Sequence, residues 1–209
     1  MKFNTESPMF QFLGSLFDFV ILNFVFLVTC IPIVTIGSAV SALFSITMQE
    51  ARGEHHYMLK PYLQAFKENL KTGLILFLLY FAAGAILLFN LAFWLQLNTL
   101  IGNVALVIVT LCTVLYVLSL LYVFALNARF ENPIKQTIKN SVLLALVNPK
   151  QTVFLFLIPL IAFGLAYFSP VFRVFLLIFG FAFVAYCSSF PLVKVFKTYE
   201  PAEALTEEI

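Results

Sequence analysis

Gln11, Ser15 and Asp18 recur at i, i+4 and i+7, which puts an amide, a hydroxyl and a carboxylate on one stripe of a helix. Asp18 is the one charged residue in the run 10–31. A carboxylate in mid-bilayer costs roughly 3 kcal/mol, so it needs a role. One role is a proton or cation site; the other is a buried polar clamp onto a neighbouring helix. No intramembrane Lys, Arg or His stands beside Asp18 to form a relay, which favours the clamp. Asn23 is five residues further on and faces elsewhere. The adjacent pair His55-His56 cannot share a helix face and has no third ligand, so no metal site is expected. Cys30, Cys112 and Cys187 lie inside apolar runs without a Cys-x-x-Cys spacing and read as small packing residues. The chain has no phosphate-binding Gly-x-x-x-x-Gly-Lys-Ser/Thr, no His-Glu-x-x-His and no Gly-x-Ser-x-Gly. These residues predict no catalytic site, no enzyme and no cofactor.

The elements that must hold these residues are set by composition. Of 209 residues 62% are apolar and only 11% are charged, about half the charged share of a soluble domain. So few charges cannot cover a soluble surface, and the solvent is a bilayer. The net charge of +2 excludes a nucleic-acid footprint. A single basic residue, Lys2, precedes the first apolar run and no small-residue cleavage pattern follows it, so that run reads as a retained helix rather than a cleaved signal.

A helix rises 1.5 Å per residue and about 20 residues cross the hydrocarbon core. Apolar runs over 10–31, 34–49, 74–95, 101–126, 151–169 and 172–193 predict an all-α, polytopic membrane protein. The stretch Ile31-Pro32-Ile33-Val34-Thr35-Ile36-Gly37 interrupts the first two runs, because proline removes a donor and disfavours helix in the residue before it. Either 10–31 and 34–49 form a hairpin, giving six spans, or they make one kinked span, giving five. Gly37, Ser41 and Ser45 recur every four residues, a strip of small side chains along which another helix can approach closely. That strip fits a helix buried in a bundle and favours six.

Arg52, Lys60, Lys67 and Lys71 share one connection, Arg129, Lys135, Lys139 and Lys150 another, and Lys194 and Lys197 follow the last run. The positive-inside rule then makes both long connections and the C-terminus cytoplasmic. With six spans, 11 of the 12 basic residues lie inside and the N-terminus is cytoplasmic. Arg173 snorkels to the outer interface, and Trp94 and Tyr167 fit interfacial anchors.

Both connections predict amphipathic elbow helices. Leu59, Leu63, Phe66, Leu70, Leu74 and Phe77 recur at three- and four-residue steps, with Lys60, Gln64, Lys67, Glu68 and Lys71 opposite. Over 132–147, Ile134, Ile138, Ser141, Val142 and Ala145 oppose Lys135, Gln136, Lys139 and Asn140, and Asn148-Pro149 breaks the helix. At an offset of 79 residues Lys60, Asn69 and Lys71 align with Lys139, Asn148 and Lys150. Each unit is then an elbow followed by two spans, a parallel repeat. Residues 1–198 form one transmembrane domain and 199–209 an acidic cytoplasmic tail.

Leu13-Gly14, Asp18, Leu22-Asn23, Cys30 to Gly37, Ala42-Leu43, Arg52-Gly53 and Phe66 to Lys71 together resemble the opening of the YesL family, small integral membrane proteins of Gram-positive bacteria. The resemblance covers about 10–75 and extends in pattern to about 195. It implies that Gly14, Asp18, Asn23, Pro32, Gly37, Arg52, Lys67 and Asn69 are this chain's copies of the family pattern. Phe24-Val25-Phe26 stands where the family carries a Trp-rich helix end, and Glu54-His55-His56-Tyr57 alters its loop. The resemblance also implies an accessory role beside carbohydrate ABC importers in the plasma membrane, with sugar permease subunits as partners. Two alternatives stand beside it: an autonomous small-solute transporter or channel, for which Asp18, Asn23 and Asn90 are meagre linings, and a lipid-interacting assembly factor whose elbows dock on anionic lipid. The partners expected throughout are the lipid bilayer, no nucleic acid, and a homo-oligomer as an open option.

Overall fold

The computed structural model describes residues 8–54, 57–97 and 99–199. Their architecture is helical throughout: α1 (Pro8–Thr29), a 3-10 turn (Ile33–Thr35), α2 (Ile36–Ala51), α3 (Leu59–Glu68), α4 (Leu70–Gln96), α5 (Leu100–Arg129), α6 (Ile134–Val147) and α7 (Pro149–Phe168). The last long helix is composite, with α8 (Pro170–Phe175), a π-helical turn (Leu176–Gly180) and α9 (Phe181–Phe196). Five segments are long and apolar enough to cross a membrane: Ile33–Ala51, Leu70–Gln96, Leu100–Arg129, Pro149–Phe168 and Pro170–Phe196; Leu16–Thr29 is a shorter apolar stretch. The chain is a polytopic helical membrane protein, and its long apolar faces contact lipid.

The proline break falls where expected. α1 ends at Thr29 and α2 begins at Ile36. The Thr35 hydroxyl lies 2.7 Å from the Thr29 carbonyl and 2.6 Å from that of Pro32, which ties the turn down.

Two elbow–hairpin units follow, α3–α4–α5 and α6–α7–α8–α9, and both rest on α2. Half of the apolar window of α2 is buried, against 11, 6, 17 and 22% in the four later segments, so α2 is the core helix and the hairpins are its walls. Burial gathers at the end of the bundle that carries the basic connections. In α4 the buried residues are Gly73, Leu76 and Tyr80, all in its first half. In α5 they are Ser119 and Tyr122 to Leu126, with Gly102 apart from them. At the other end Leu88 and Phe89 are 68% and 72% exposed, as suits side chains that meet lipid instead of water.

The elbows form, and α6 turns its expected side inward, with Ser141 and Ala145 buried and Ile134 and Ile138 packed on the core; the face of α3 differs from the expected one. α3 buries Tyr62 and Ala65, with Met58 buried just before it, while Leu59 and Leu63 are exposed. Burial pushes the Tyr62 hydroxyl up from its ordinary value. α6 buries Thr137, Ser141, Leu144 and Ala145, while Leu143, Leu146 and Val147 are exposed. Helical periodicity marks the leucine side as the core side only where the solvent is water. Beside a bilayer the leucines can face lipid, and the bundle draws in hydroxyls that need partners. The first elbow also does not run continuously into its span: Asn69 ends α3 and begins α4.

Candidate functional site

The polar groups inside the bundle converge on α2. Gly37 and Gly73 let its first turn press against α4: a Cβ on Gly37 would lie 2.3 Å from the Gly73 carbonyl oxygen, and one on Gly73 would lie 2.7 Å from Ser38 backbone atoms. At that approach Ser38 donates to the Leu70 carbonyl at 3.1 Å. One turn on, Ser41 accepts from Asn127 Nδ2 at 3.1 Å, and the same amide donates to Asn69 Oδ1 at 2.8 Å. Further along, Ser189 of α9 lies 2.8 Å from the Thr47 hydroxyl. α2 thus holds α4, α5 and α9 by one polar contact each, all within two turns of those helices' basic ends.

A second set of hydroxyls ties α5 to its other neighbours. Ser141 donates to the Ile138 carbonyl at 2.7 Å, Ser119 lies 2.5 Å from Ser141, and Tyr80 bonds Ser119. With the Ser141 proton on a carbonyl, each hydroxyl in this chain donates to the next. Tyr122 bonds Thr152 at 2.9 Å, and Thr152 donates to the Ala145 and Asn148 carbonyls. Both chains run between helices and so fasten α4, α5, α6 and α7 to one another. Among the described residues no buried side-chain polar atom lacks a partner.

Asn23 has a separate task. It is fully buried, its Nδ2 donates to the Leu177 carbonyl at 2.8 Å, and its Oδ1 accepts from the Ala182 amide at 3.1 Å. Those two backbone groups are five residues apart, the spacing a π-turn would pair directly. The side chain is therefore inserted into the backbone ladder of the last helix, a recognised cause of local helix deformation. At the end of α1, Thr29 donates to the Phe26 carbonyl, which leaves Tyr62 of α3 to donate to Thr29 at 2.6 Å.

The expected site residues divide accordingly. Asp18 is half-buried on α1, and the tie from α1 to the last helix is Asn23. The side chains of Gln11 and Ser15 lie outside the described residues, as do His55-His56 and 200–209. Gly14 is exposed, and Pro32 is exposed at the break. Gly37 and Ser41 are buried at contacts, whereas Ser45 is half-buried and Ser38, off the expected strip, makes the bond to α4. Arg52 pairs with Glu54 at 2.5 Å across Gly53, whose φ of 86° suits glycine. Lys67, Lys71, Lys139 and Lys150 are exposed. Asn69 and Asn148 each donate from Nδ2 to the carbonyl four residues back, Ala65 at 2.9 Å and Leu144 at 3.1 Å. They close the two elbows in the same way, as the repeat requires. Missed by sequence reasoning were Asn127, Thr47, Ser189, Ser119, Tyr122 and Thr152, lone polar residues in apolar runs whose default reading is composition.

Between α2 and the two hairpins is an open apolar cleft of about 530 Å³. Phe44 of α2 and Phe77 of α4 stand on one side, Phe163 of α7 and Phe181 of α9 on the other.

Fold and site define a membrane protein whose interior polar groups fasten helices. A family model described as "Protein of unknown function, DUF624" matches residues 19–91, from Asn23 through the Gly37–Gly73 contact and most of α4. No curated protein and no solved structure matches the chain.

Proposed function

We propose that this chain is a non-catalytic plasma-membrane protein that acts by binding other membrane proteins, as an accessory to a carbohydrate ABC importer. The observation that carries the reading is the use of the buried polar groups. They are taken up by bonds within the bundle, most of the helix–helix ones toward its basic end and Asn23's at Leu177 and Ala182, while α4, α5 and α7 offer long apolar faces. Such an interior favours holding a partner over passing a sugar or an ion. The importer itself comes from the resemblance to YesL proteins, with which the family match over 19–91 agrees. The basic end is cytoplasmic on this reading, together with both termini.

Affinity purification of the tagged protein from gently solubilised native membranes, with mass spectrometry of what co-purifies, tests it. Sugar permease subunits recovered in stoichiometric amount are the expected result. Recovery of the chain alone, as a monomer or homo-oligomer, would overturn the accessory role and make flux assays with Asp18→Asn the next step.

A further inference from the structure

We propose that the groove between the second elbow and the end of the last helix is the docking site of the chain's own acidic segment, residues 200–209. The groove has a volume of about 420 Å³. It lies at the basic end of the bundle, between Leu143 and Val147 of α6, Phe130 just after α5, and Phe196 and Tyr199 at the end of the last helix.

Four observations name the occupant. The first is attachment. Tyr199 belongs to the lining, so the residues after it leave from the rim. From Tyr199 to Leu205 the chain spans at most about 20 Å, and a tether that short gives an effective concentration in the millimolar range, at which a weak contact suffices. The second is charge. Residues 200–209 hold Glu200, Glu203, Glu207 and Glu208 and no basic residue. The elements that frame the groove expose Lys135 and Lys139 on α6, Lys150 in the first turn of α7, and Lys194 and Lys197 at the end of the last helix, with Glu131 as the acid among them. The third is pattern: Ala202, Leu205 and Ile209 recur at three- and four-residue steps between the acids, so apolar side chains can enter the groove while carboxylates stay at its basic rim. The fourth is the polar part of the lining. Asn132 and Asn140 line the groove and have no side-chain hydrogen bond to other described residues. Amides of this kind pair with a peptide backbone, whereas an acyl chain offers them nothing.

The internal repeat shows what docking does. In the first unit Asn69 closes α3 and accepts from Asn127 of α5 at 2.8 Å. Its counterpart Asn148 closes α6 and meets the hydroxyl of Tyr199 at 3.5 Å, at the root of the acidic segment. With 200–209 seated in the groove, the second elbow is braced against the last helix as Asn127 braces the first against α5. The site does not depend on a permease partner.

The test is photo-cross-linking of the full chain in nanodiscs of dioleoyl phosphatidylcholine holding one chain each, with Ala204→p-benzoylphenylalanine and mass spectrometry of the linked peptides. Links to residues 140–147 are the expected result. Leu143→Asp with Val147→Asp, on the groove wall, lowers their yield at least fivefold. Raising the salt to about 1 M, where the Debye length falls to about 3 Å, lowers it about twofold. Leu63→Asp, on the exposed face of the first elbow, leaves it unchanged. Should the α6 variant not fold, Leu205→Asp with Ile209→Asp alters the segment alone and gives the same loss. Links to lipid or to α3 in place of α6 overturn the proposal. So does a wild type without links, or a yield that neither pair of substitutions moves.

Discussion

The two ends of the bundle are built to opposite rules. At the basic end glycines bring backbones together, and hydroxyls and amides bond across α2, α4, α5, α6, α7 and α9. At the far end the same long helices carry large apolar side chains that touch few neighbours; Leu88, Phe89, Val107 and Leu111 are all more than half exposed. The contrast shows where association energy comes from in a bilayer. Burying leucine against leucine gains little when lipid is as apolar as the partner, so close backbone approach and polar bonds hold the bundle; most of them lie toward the basic end, and Asn23 adds a tie to the last helix at Leu177 and Ala182.

That comparison can be broken at several points. Gly73→Leu should have the largest effect. Its side chain would strike Ser38 backbone atoms that cannot move aside, and the variant should fail to give a monodisperse peak in fluorescence-detected size exclusion. Gly164, on α7, is open: a methyl added there would meet nothing within 4 Å. Gly164→Ala should therefore hold or raise the melting temperature, by up to about 1 kcal/mol. A loss there as severe as at Gly73 would mean that the two ends are equally tight.

Next in size is a pair on one helix. Leu76→Ala, at a fully buried position, should cost about 2–5 kcal/mol, while Leu88→Ala, 68% exposed, should stay within about 0.5 kcal/mol; steric-trap or detergent titration unfolding measures both. Asn23→Leu should cost about 2–4 kcal/mol, because two backbone groups lose their partner inside the bundle. Tyr80→Phe removes one hydroxyl from the Ser119–Ser141 chain and should cost about 0.6–1.7 kcal/mol. A cost for Leu88→Ala equal to that of Leu76→Ala would place a protein partner on the far end of α4.

Much of this was legible. Gaps between charges located the long apolar helices to within a few residues, and the proline break separated α1 from α2. The 79-residue offset matched Asn69 to Asn148, which make the same bond. The contacts were harder. Gly37 and Ser41 were readable as a small-residue strip, but α2 is enclosed on more than one side, so Ser38 and Thr47 matter as much. The face of α6 was readable from its periodicity, whereas that of α3 escapes the argument because amphipathicity does not say which solvent the apolar side meets. Asn23 stands out in the sequence as a polar residue in an apolar run, but its partner lies 154 residues away in a π-turn that no residue type announces.

The distance between those partners bears on how the protein is made. During synthesis at about 5–20 residues per second, Asn23 leaves the ribosome roughly 8–30 s before Leu177. Until then α1 must wait in or beside the membrane with its amide unengaged, and the last helix completes the first. The protein therefore closes as a ring in time: its earliest helix, held first at Thr29 by Tyr62, is completed by its latest, and a chain cut short before residue 182 leaves Asn23 at the beginning unfastened as well as the end.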